Sequence, residues 1–346
     1  MSEADDATHR IRDLVRTAMS REVERLVPIE PGLGSRRFYR VVLTGDDAPK
    51  SVIARVEEEE DPSLRPAGVP PEPALEPIRA HLADHGVPVF DLYGEAPGLQ
   101  LLEDAGDESL EDAARGRPIE AVHDLYREAC AIVPRIQRVP RDAAVANFGR
   151  RLDAALFRYK AEQFVEWVLP LTGAANRADV VRNAFELVAR EAMAAPQRLA
   201  HRDYKAANLH VCGEAGREHL VLIDVQGAFL APPEYDLVCL LRDSHVALDE
   251  AFVQTLLQET RTQLPDASDP EVFRRRFTLL TLTRNGKDLS RFLYAANTRG
   301  DGRYVALLPR AVATLKAAAE IARDFDDSLA RLADVIAQLP ESPCVP

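Results

Sequence analysis

Hydrophobic positions in the first hundred residues come in short runs. Two of them, within RFYRVVLTGDDAPKSVIAR at 37–55, flank a Gly/Asp/Pro cluster, the composition of a β-hairpin. A polar, helix-forming start precedes them. Ile78 and Leu82 recur at helical spacing before Gly86 supplies a stop, and VPVFDLYG at 87–94 and LQLLE at 99–103 read as strands. From Ser109 onward the periods are long and helical, clearest at Leu152, Leu156, Tyr159, Phe164 and Trp167, and again from Val312 to Ile336. One β-rich island, 199–229, interrupts them. The change of pattern falls at 104–108. The expectation is an α+β chain of two lobes: an N-terminal antiparallel sheet lobe over 1–105, and a larger, mainly helical lobe over 106–346 that carries a small hairpin.

Length agrees, since 346 residues exceed the roughly 150 of a single domain. The formal charge of −13 argues against nucleic acid and anionic membrane as partners, because both select a cationic surface. The start, MSEADDATHR, lacks a basic segment followed by an apolar core, and about 18 consecutive apolar residues occur nowhere, so a cytoplasmic location is expected. Cys130, Cys212, Cys239 and Cys344 have no metal-ligand spacing and read as reduced thiols.

The island, LAHRDYKAANLHVCGEAGREHLVLIDVQG, places polar residues on turns supported by apolar runs, where reactive groups collect. Asp203 stands five residues before Asn208, and Asp224 ends the run Val221-Leu222-Ile223. Phosphoryl transfer needs a carboxylate to orient and accept the proton of the attacking hydroxyl, together with oxygen ligands for Mg²⁺ on the phosphates. Asp203 suits the first role. Asn208 and Asp224 offer one neutral and one charged oxygen, which magnesium accepts. The alternative is that Asp203 and Asn208 only cap turns.

These residues resemble the H-R-D-x-x-x-x-N and D-F-G elements of the protein-kinase-like fold, with Asp-Val-Gln-Gly in place of Asp-Phe-Gly. The resemblance implies that His201 and Asp236 support the loop, Asp236 by accepting hydrogen bonds from its backbone. It also implies a glycine turn over the nucleotide phosphates at Gly32, Gly34 and Ser35, although Arg37 stands where the third glycine belongs. Arg55 takes the place of the usual phosphate-binding Lys, with Glu72 or Glu76 as its carboxylate partner, and Glu103 and Ala105 mark the adenine-binding hinge. ATP and Mg²⁺ are the implied cofactors.

His-Arg-Asp-Tyr-Lys-Ala-Ala-Asn with the downstream Pro-Glu-Tyr-Asp-Leu is similar to the aminoglycoside phosphotransferase and choline kinase superfamily. Within it, GSRRFYRV, LLEDAGDESL, YDLVCLLRD and TRNGKDLSRF most resemble the bacterial anomeric kinases of N-acetylmuramate and N-acetylglucosamine, used in cell-wall sugar recycling. That resemblance implies an amino sugar as acceptor and a sugar 1-phosphate as product. The acidic EEEED run and Lys205-Ala206 depart from it.

Charge bears on the acceptor independently. Residues 271–310 hold eight Arg and one Lys against three acids, a net +6 that suits a carboxylate-bearing sugar better than a polycation; a solvated helix face is the other reading. Arg202, Glu166 and Asp243 are the substrate-side candidates, and Trp167 is either a sugar platform or a core anchor. Two alternatives stand beside the sugar kinase. One is a kinase of a cationic alcohol such as an aminoglycoside or choline, which an acceptor panel separates. The other is an inactive nucleotide-binding regulator, which would bind Mg-ATP without transfer.

Overall fold

The computed structural model describes residues 3–29, 36–57, 71–214 and 216–343. In chain order these form α1 (Glu3–Met19), β1 (Val23–Ile29), β2 (Arg37–Leu43), β3 (Ser51–Val56), α2 (Ile78–Asp84), β4 (Leu92–Ala96) and β5 (Leu99–Glu103). The helices α3 (Leu110–Gly116), α4 (Ile119–Arg138), α5 (Ala154–Trp167) and α6 (Ala178–Ala194) follow, and then four short strands, β6 (Arg198–Ala200), β7 (Leu209–Cys212), β8 (His219–Leu222) and β9 (Phe229–Ala231). The chain ends in α7 (Tyr235–Leu241), α8 (Glu250–Arg261), α9 (Pro270–Arg299), α10 (Leu308–Ala322) and α11 (Asp327–Ala337).

Two compact units form, and one cut in the chain does not separate them. The first holds residues 1–67, 89–107 and 210–223, and the second 68–88, 108–209 and 224–346. In the first, an antiparallel sheet runs in the order β1-β2-β3-β5-β4. Because side chains alternate across a strand, Val41, Leu43, Val52, Ala54, Val56, Leu99 and Leu101 share one face, and Ile11, Leu14 and Val15 of α1 close over it. Each buried Val, Leu or Ile contributes about 1.5–3 kcal/mol. Arg55 projects from the opposite face, opposite Phe38 and Gln100 in the ladders. The polar pattern of residues 21–29 conceals β1: it is an edge strand, mostly exposed, and it tolerates Pro28 for that reason.

In the second unit α9 is the central element. Every residue from Phe277 to Gly286 is buried, which a helix shows only when it is surrounded. Phe164 of α5 and Phe185 of α6 meet at 5.9 Å between ring centroids, and a Cβ on Gly286 would lie 3.0 Å from Phe164, so the small residue lets these helices approach. Two sequence expectations need correction here. The island is not one hairpin: β6 pairs with β9 and β7 with β8, because the polar loop after Ala200 carries the chain out of the first pair before the second forms. The helical period over 312–336 is two helices, broken where Asp326 turns extended and its side chain accepts the Ser328 N–H at 2.8 Å. Among the described residues no helix is long and apolar enough to cross a membrane.

Gly94 in β4 lies against α1, where an added Cβ would meet the Ala18 Cβ at 2.6 Å. Gly94→Ala is expected to lower stability to urea by about 1–3 kcal/mol. Ala18→Gly in that background recovers part of the loss, less about 1 kcal/mol for glycine in a helix; no recovery contradicts the contact.

Candidate active site

The loop from His201 to Asn208 leaves β6 and is pinned from below. Asp236, buried in the first turn of α7, accepts the backbone N–H of His201 at 2.7 Å on Oδ2 and that of Arg202 at 3.2 Å on Oδ1. Two N–H groups converging on one carboxylate require a sharp bend, and Arg202 adopts a left-handed φ of 80°, a conformation that costs a non-glycine residue about 1–3 kcal/mol. Tyr204 is fully buried, and its hydroxyl donates to the Ala129 carbonyl at 2.7 Å. The Ala206 N–H donates to Asp243 Oδ2 at 3.2 Å, and Asn208 Nδ2 donates to the Asp203 carbonyl at 2.8 Å. With these neighbours tied down, the Asp203 side chain stays 39 % exposed.

Asp224 follows β8 and takes a left-handed φ of 63°. Strands joined by a connection as short as 213–218 must run antiparallel, so Asn208, before β7, and Asp224, after β8, stand at the same end of that hairpin. Asp224 Oδ1 accepts from the buried Gln226 amide, which also reaches Glu72 Oε2 at 3.4 Å. Glu72 Oε1 in turn holds Arg202 Nη1 at 3.1 Å.

Asp203 has cationic company. Arg284 of α9 donates from Nη2 to Oδ1 at 2.9 Å, and Lys205 Nζ lies 4.0 Å from Oδ2. Burial works against ionisation, but the charges of Arg284, Lys205 and Lys287 prevail and hold this carboxyl far below the usual carboxylate range. Asp288 shares the cluster, 3.0 Å from Arg284 Nε and 2.7 Å from Lys287 Nζ; these two cations outweigh its burial and hold it down at about 2. Burial, with repulsion from Arg284, brings Lys287 down to about 8. Lys160 of α5 is buried between the Phe157 and Tyr235 rings, 5.2 and 5.5 Å from their centroids, and burial followed by Lys287 and Arg284 lowers it to about 7.

The structure thus brings Asp203, Asn208, His201, Arg202 and Asp236 onto one loop and its support. Asp243 is a correction: rather than turning to a substrate, it is buried and its oxygens serve Ala206 and His245, the latter ring at 2.8 Å. Glu166 is exposed on α5, and Trp167 beside it packs edge-on against Tyr294 at 5.3 Å. Arg55 is buried and donates to Gln100 and to Glu57 at 3.0 Å, whereas Glu72 pairs with Arg202 and Glu76 with Arg79. The Glu103 N–H donates to the Asp91 carbonyl at 2.8 Å, and the Ala105 carbonyl accepts the Cys212 thiol at 3.2 Å. Gly32, Gly34, Ser35, Cys344 and most of the acidic run lie outside the described residues.

The basic excess of 271–310 is not a uniform cationic face. Arg275, Arg276 and Arg303 pair with Glu191, Glu234 and Asp301, while Arg284 and Lys287 are the cations of this segment that act on Asp203. Arg284 was hidden in the sequence by its distance of 81 residues from Asp203; the charge of its segment was the signal. The donor set also fits a divalent cation. Asn208 spends its amide N–H, which leaves Oδ1 on the opposite edge of the amide, and Asp224 carries a second carboxylate oxygen beyond the one facing Gln226. Magnesium takes few protein oxygens and keeps water and phosphate as its other ligands, so the pair suffices although no cluster of three His, Cys, Asp or Glu exists among the described residues.

Removing Asp236 leaves two backbone donors unpaired, and Asp236→Ala is expected to cost about 1–3 kcal/mol in urea denaturation. Burial pushes the Asp236 carboxyl up to about 6, against the pull of His201 and the two N–H groups. A carboxyl in the unfolded chain titrates at about 4, so the fold holds this proton more tightly, and the stability it contributes is complete below about pH 4 and lost as pH rises through about 6. The stability advantage of the native chain over the non-titrating Asp236→Asn should therefore narrow between about pH 4 and pH 7; a widening gap contradicts this.

The phosphotransferase enzyme family model (APH) matches residues 26–274. An N-acetylmuramate/N-acetylglucosamine kinase of Pseudomonas putida is 29% identical over 284 residues, covering 78% of this chain and 79% of the relative. One of Pseudomonas aeruginosa is 26% identical over 329 residues, covering 91% and 89%. Among solved structures, a choline kinase from Streptococcus pneumoniae aligns with a TM-score of 0.59 at 16% identity over 90% of this chain and 99% of that one, a likeness of fold. The family match spans the 201–208 loop, Asp224 and Asp236, and the chain belongs to the phosphotransferase enzyme family as a small-molecule kinase.

Proposed function

We propose that the chain is an ATP-dependent sugar kinase that phosphorylates the anomeric hydroxyl of N-acetylmuramate, N-acetylglucosamine or both, with Asp203 as base. The observation that carries this is the half-buried Asp203 carboxylate, paired with Arg284 and presented on a loop whose backbone is otherwise fixed. In a loose phosphoryl-transfer transition state the protein contributes mainly position and electrostatics, and a fixed, charged acceptor for the hydroxyl proton supplies both. The acceptor O–H proton passes to Asp203 as the oxygen bonds to the γ-phosphorus, and ADP leaves as the bridging P–O bond breaks.

Asn208 and Asp224 would hold Mg²⁺, whose positive charge neutralises the phosphates. Residues 1–105 would hold the nucleotide through Gly32, Gly34, Ser35, Arg55, Glu103 and Ala105, and 106–346 the catalytic loop and sugar. Arg55, buried and paired with Glu57 and Gln100, supports this as a fixed guanidinium fork in place of an ammonium. The sugar assignment is supported by relatives named for these two sugars along most of the chain. The cations around Asp203 weigh against a polycationic acceptor such as an aminoglycoside.

A coupled ADP-release assay with Mg-ATP should show turnover with N-acetylmuramate or N-acetylglucosamine and none with kanamycin or choline. Asp203→Ala is expected to lower kcat by about 10²–10⁴-fold. Lack of turnover on both sugars would end the substrate assignment, and a fully active Asp203→Ala would end the assignment of the base.

A further inference from the structure

We propose that Arg284 is a positioning residue of the candidate base: it engages one oxygen of Asp203 and assigns proton acceptance to the other. The proposal rests on the reading of Asp203 given above and adds a residue to it.

Arg284 lies midway along the surrounded helix α9 and is 8 % exposed. Its Nη2 donates to Asp203 Oδ1 at 2.9 Å, and its Nε faces Asp288 Oδ2 at 3.0 Å, so the guanidinium is fixed between two carboxylates. The helix around it is equally constrained. Asn285 Nδ2 donates to the Arg242 carbonyl at 3.0 Å, and Gly286 is packed against Phe164. A planar fork held in this way cannot follow the carboxylate, so the carboxylate must conform to the fork.

The groups facing Asp203 come from three elements. Lys205 lies on its own loop; Arg284, Lys287 and Asp288 come from α9; Tyr235 and Cys239 come from α7. Of these, Arg284 has the direct hydrogen bond, and Lys205 stands off at 4.0 Å on the Oδ2 side. With Oδ1 occupied by a charged donor, Oδ2 is the oxygen that receives the acceptor's hydroxyl proton. A carboxylate fixed in one orientation suits a reaction in which orienting the hydroxyl matters more than removing its proton early.

The test uses the full chain and three variants, Arg284→Met, Arg284→Lys and Asp203→Asn. kcat and KM are measured with Mg-ATP and each of the two sugars, with Asp203→Asn giving the rate without the base. In parallel, crystal structures of the full chain and the Arg284 variants record the orientation of the Asp203 carboxylate. Arg284→Met should lower kcat about tenfold or more with KM changed by less than about threefold. It should also let the Asp203 carboxylate turn from its native orientation, and Arg284→Lys should restore most of both effects. A purely structural Arg284 would lower the amount of folded enzyme without changing kcat per folded molecule or the orientation of the carboxylate.

An Asp203 carboxylate that keeps its orientation in Arg284→Met overturns the proposal, whatever the acceptor. A variant with raised KM and unchanged kcat also overturns it, by making Arg284 a substrate contact. If neither sugar turns over, the proposed substrate fails and the crystal structures still decide the hold of Arg284 on Asp203. If the Met variant does not fold, Arg284→Lys carries the comparison: its longer, weaker contact should lower kcat about two- to threefold at unchanged KM, and a kcat equal to that of the native chain rejects the proposal.

Discussion

The double acceptance of backbone N–H groups by Asp236 is the constraint on which the site depends. A carboxylate in the first turn of α7 sits where the helix end favours negative charge, and it gathers the amides of His201 and Arg202 at 2.7 and 3.2 Å. The left-handed bend at Arg202 follows from that convergence. Once the bend is set, Tyr204 turns inward to the Ala129 carbonyl, Asp203 turns outward, and Arg202 extends to Glu72. One buried acid thus converts a flexible stretch between strands into a fixed display of a single carboxylate. The strain at Arg202 and at Asp224 is held in place by this network.

A second feature is that the molecule and its site differ in charge. The chain carries −13 overall, yet Asp203 is surrounded by Arg284, Lys205 and Lys287. Of the cations on residues 271–310, Arg275 and Arg276 tie α9 to Glu191 of α6 and to Glu234 before α7, Arg303 pairs locally with Asp301, and Arg284 and Lys287 act on Asp203. Glu234 and Asp236 stand two residues apart. The first fixes α9 through Arg276 and the second fixes the loop, so the start of α7 sets the position of both partners of the Arg284–Asp203 contact.

Much of this was legible in the sequence. The β2–β3 hairpin, β5 at Leu99–Glu103, the period of α5 and the loop motif are local patterns, and local patterns survive in a linear reading. Strand β1 was not legible because an edge strand needs little apolar surface, and the split of the island was not because pairing of β6 with β9 depends on contacts about 30 residues apart. Asp243 was misplaced because helical periodicity says which face a residue occupies but not that a backbone amide waits there. Arg284 and Glu72 lie far along the chain from the loop they touch, and no short motif links them.

In the function proposed above, the fixed carboxylate of Asp203 directs the γ-phosphoryl to the anomeric oxygen of an amino sugar. The most direct measurement is NMR of the product made from Mg-ATP and N-acetylglucosamine labelled with carbon-13 at the anomeric carbon. Transfer to the anomeric oxygen gives phosphorus coupling at that carbon and an anomeric proton shifted to the position of a sugar 1-phosphate. Phosphate on another hydroxyl, or release of inorganic phosphate with unmodified sugar, contradicts it.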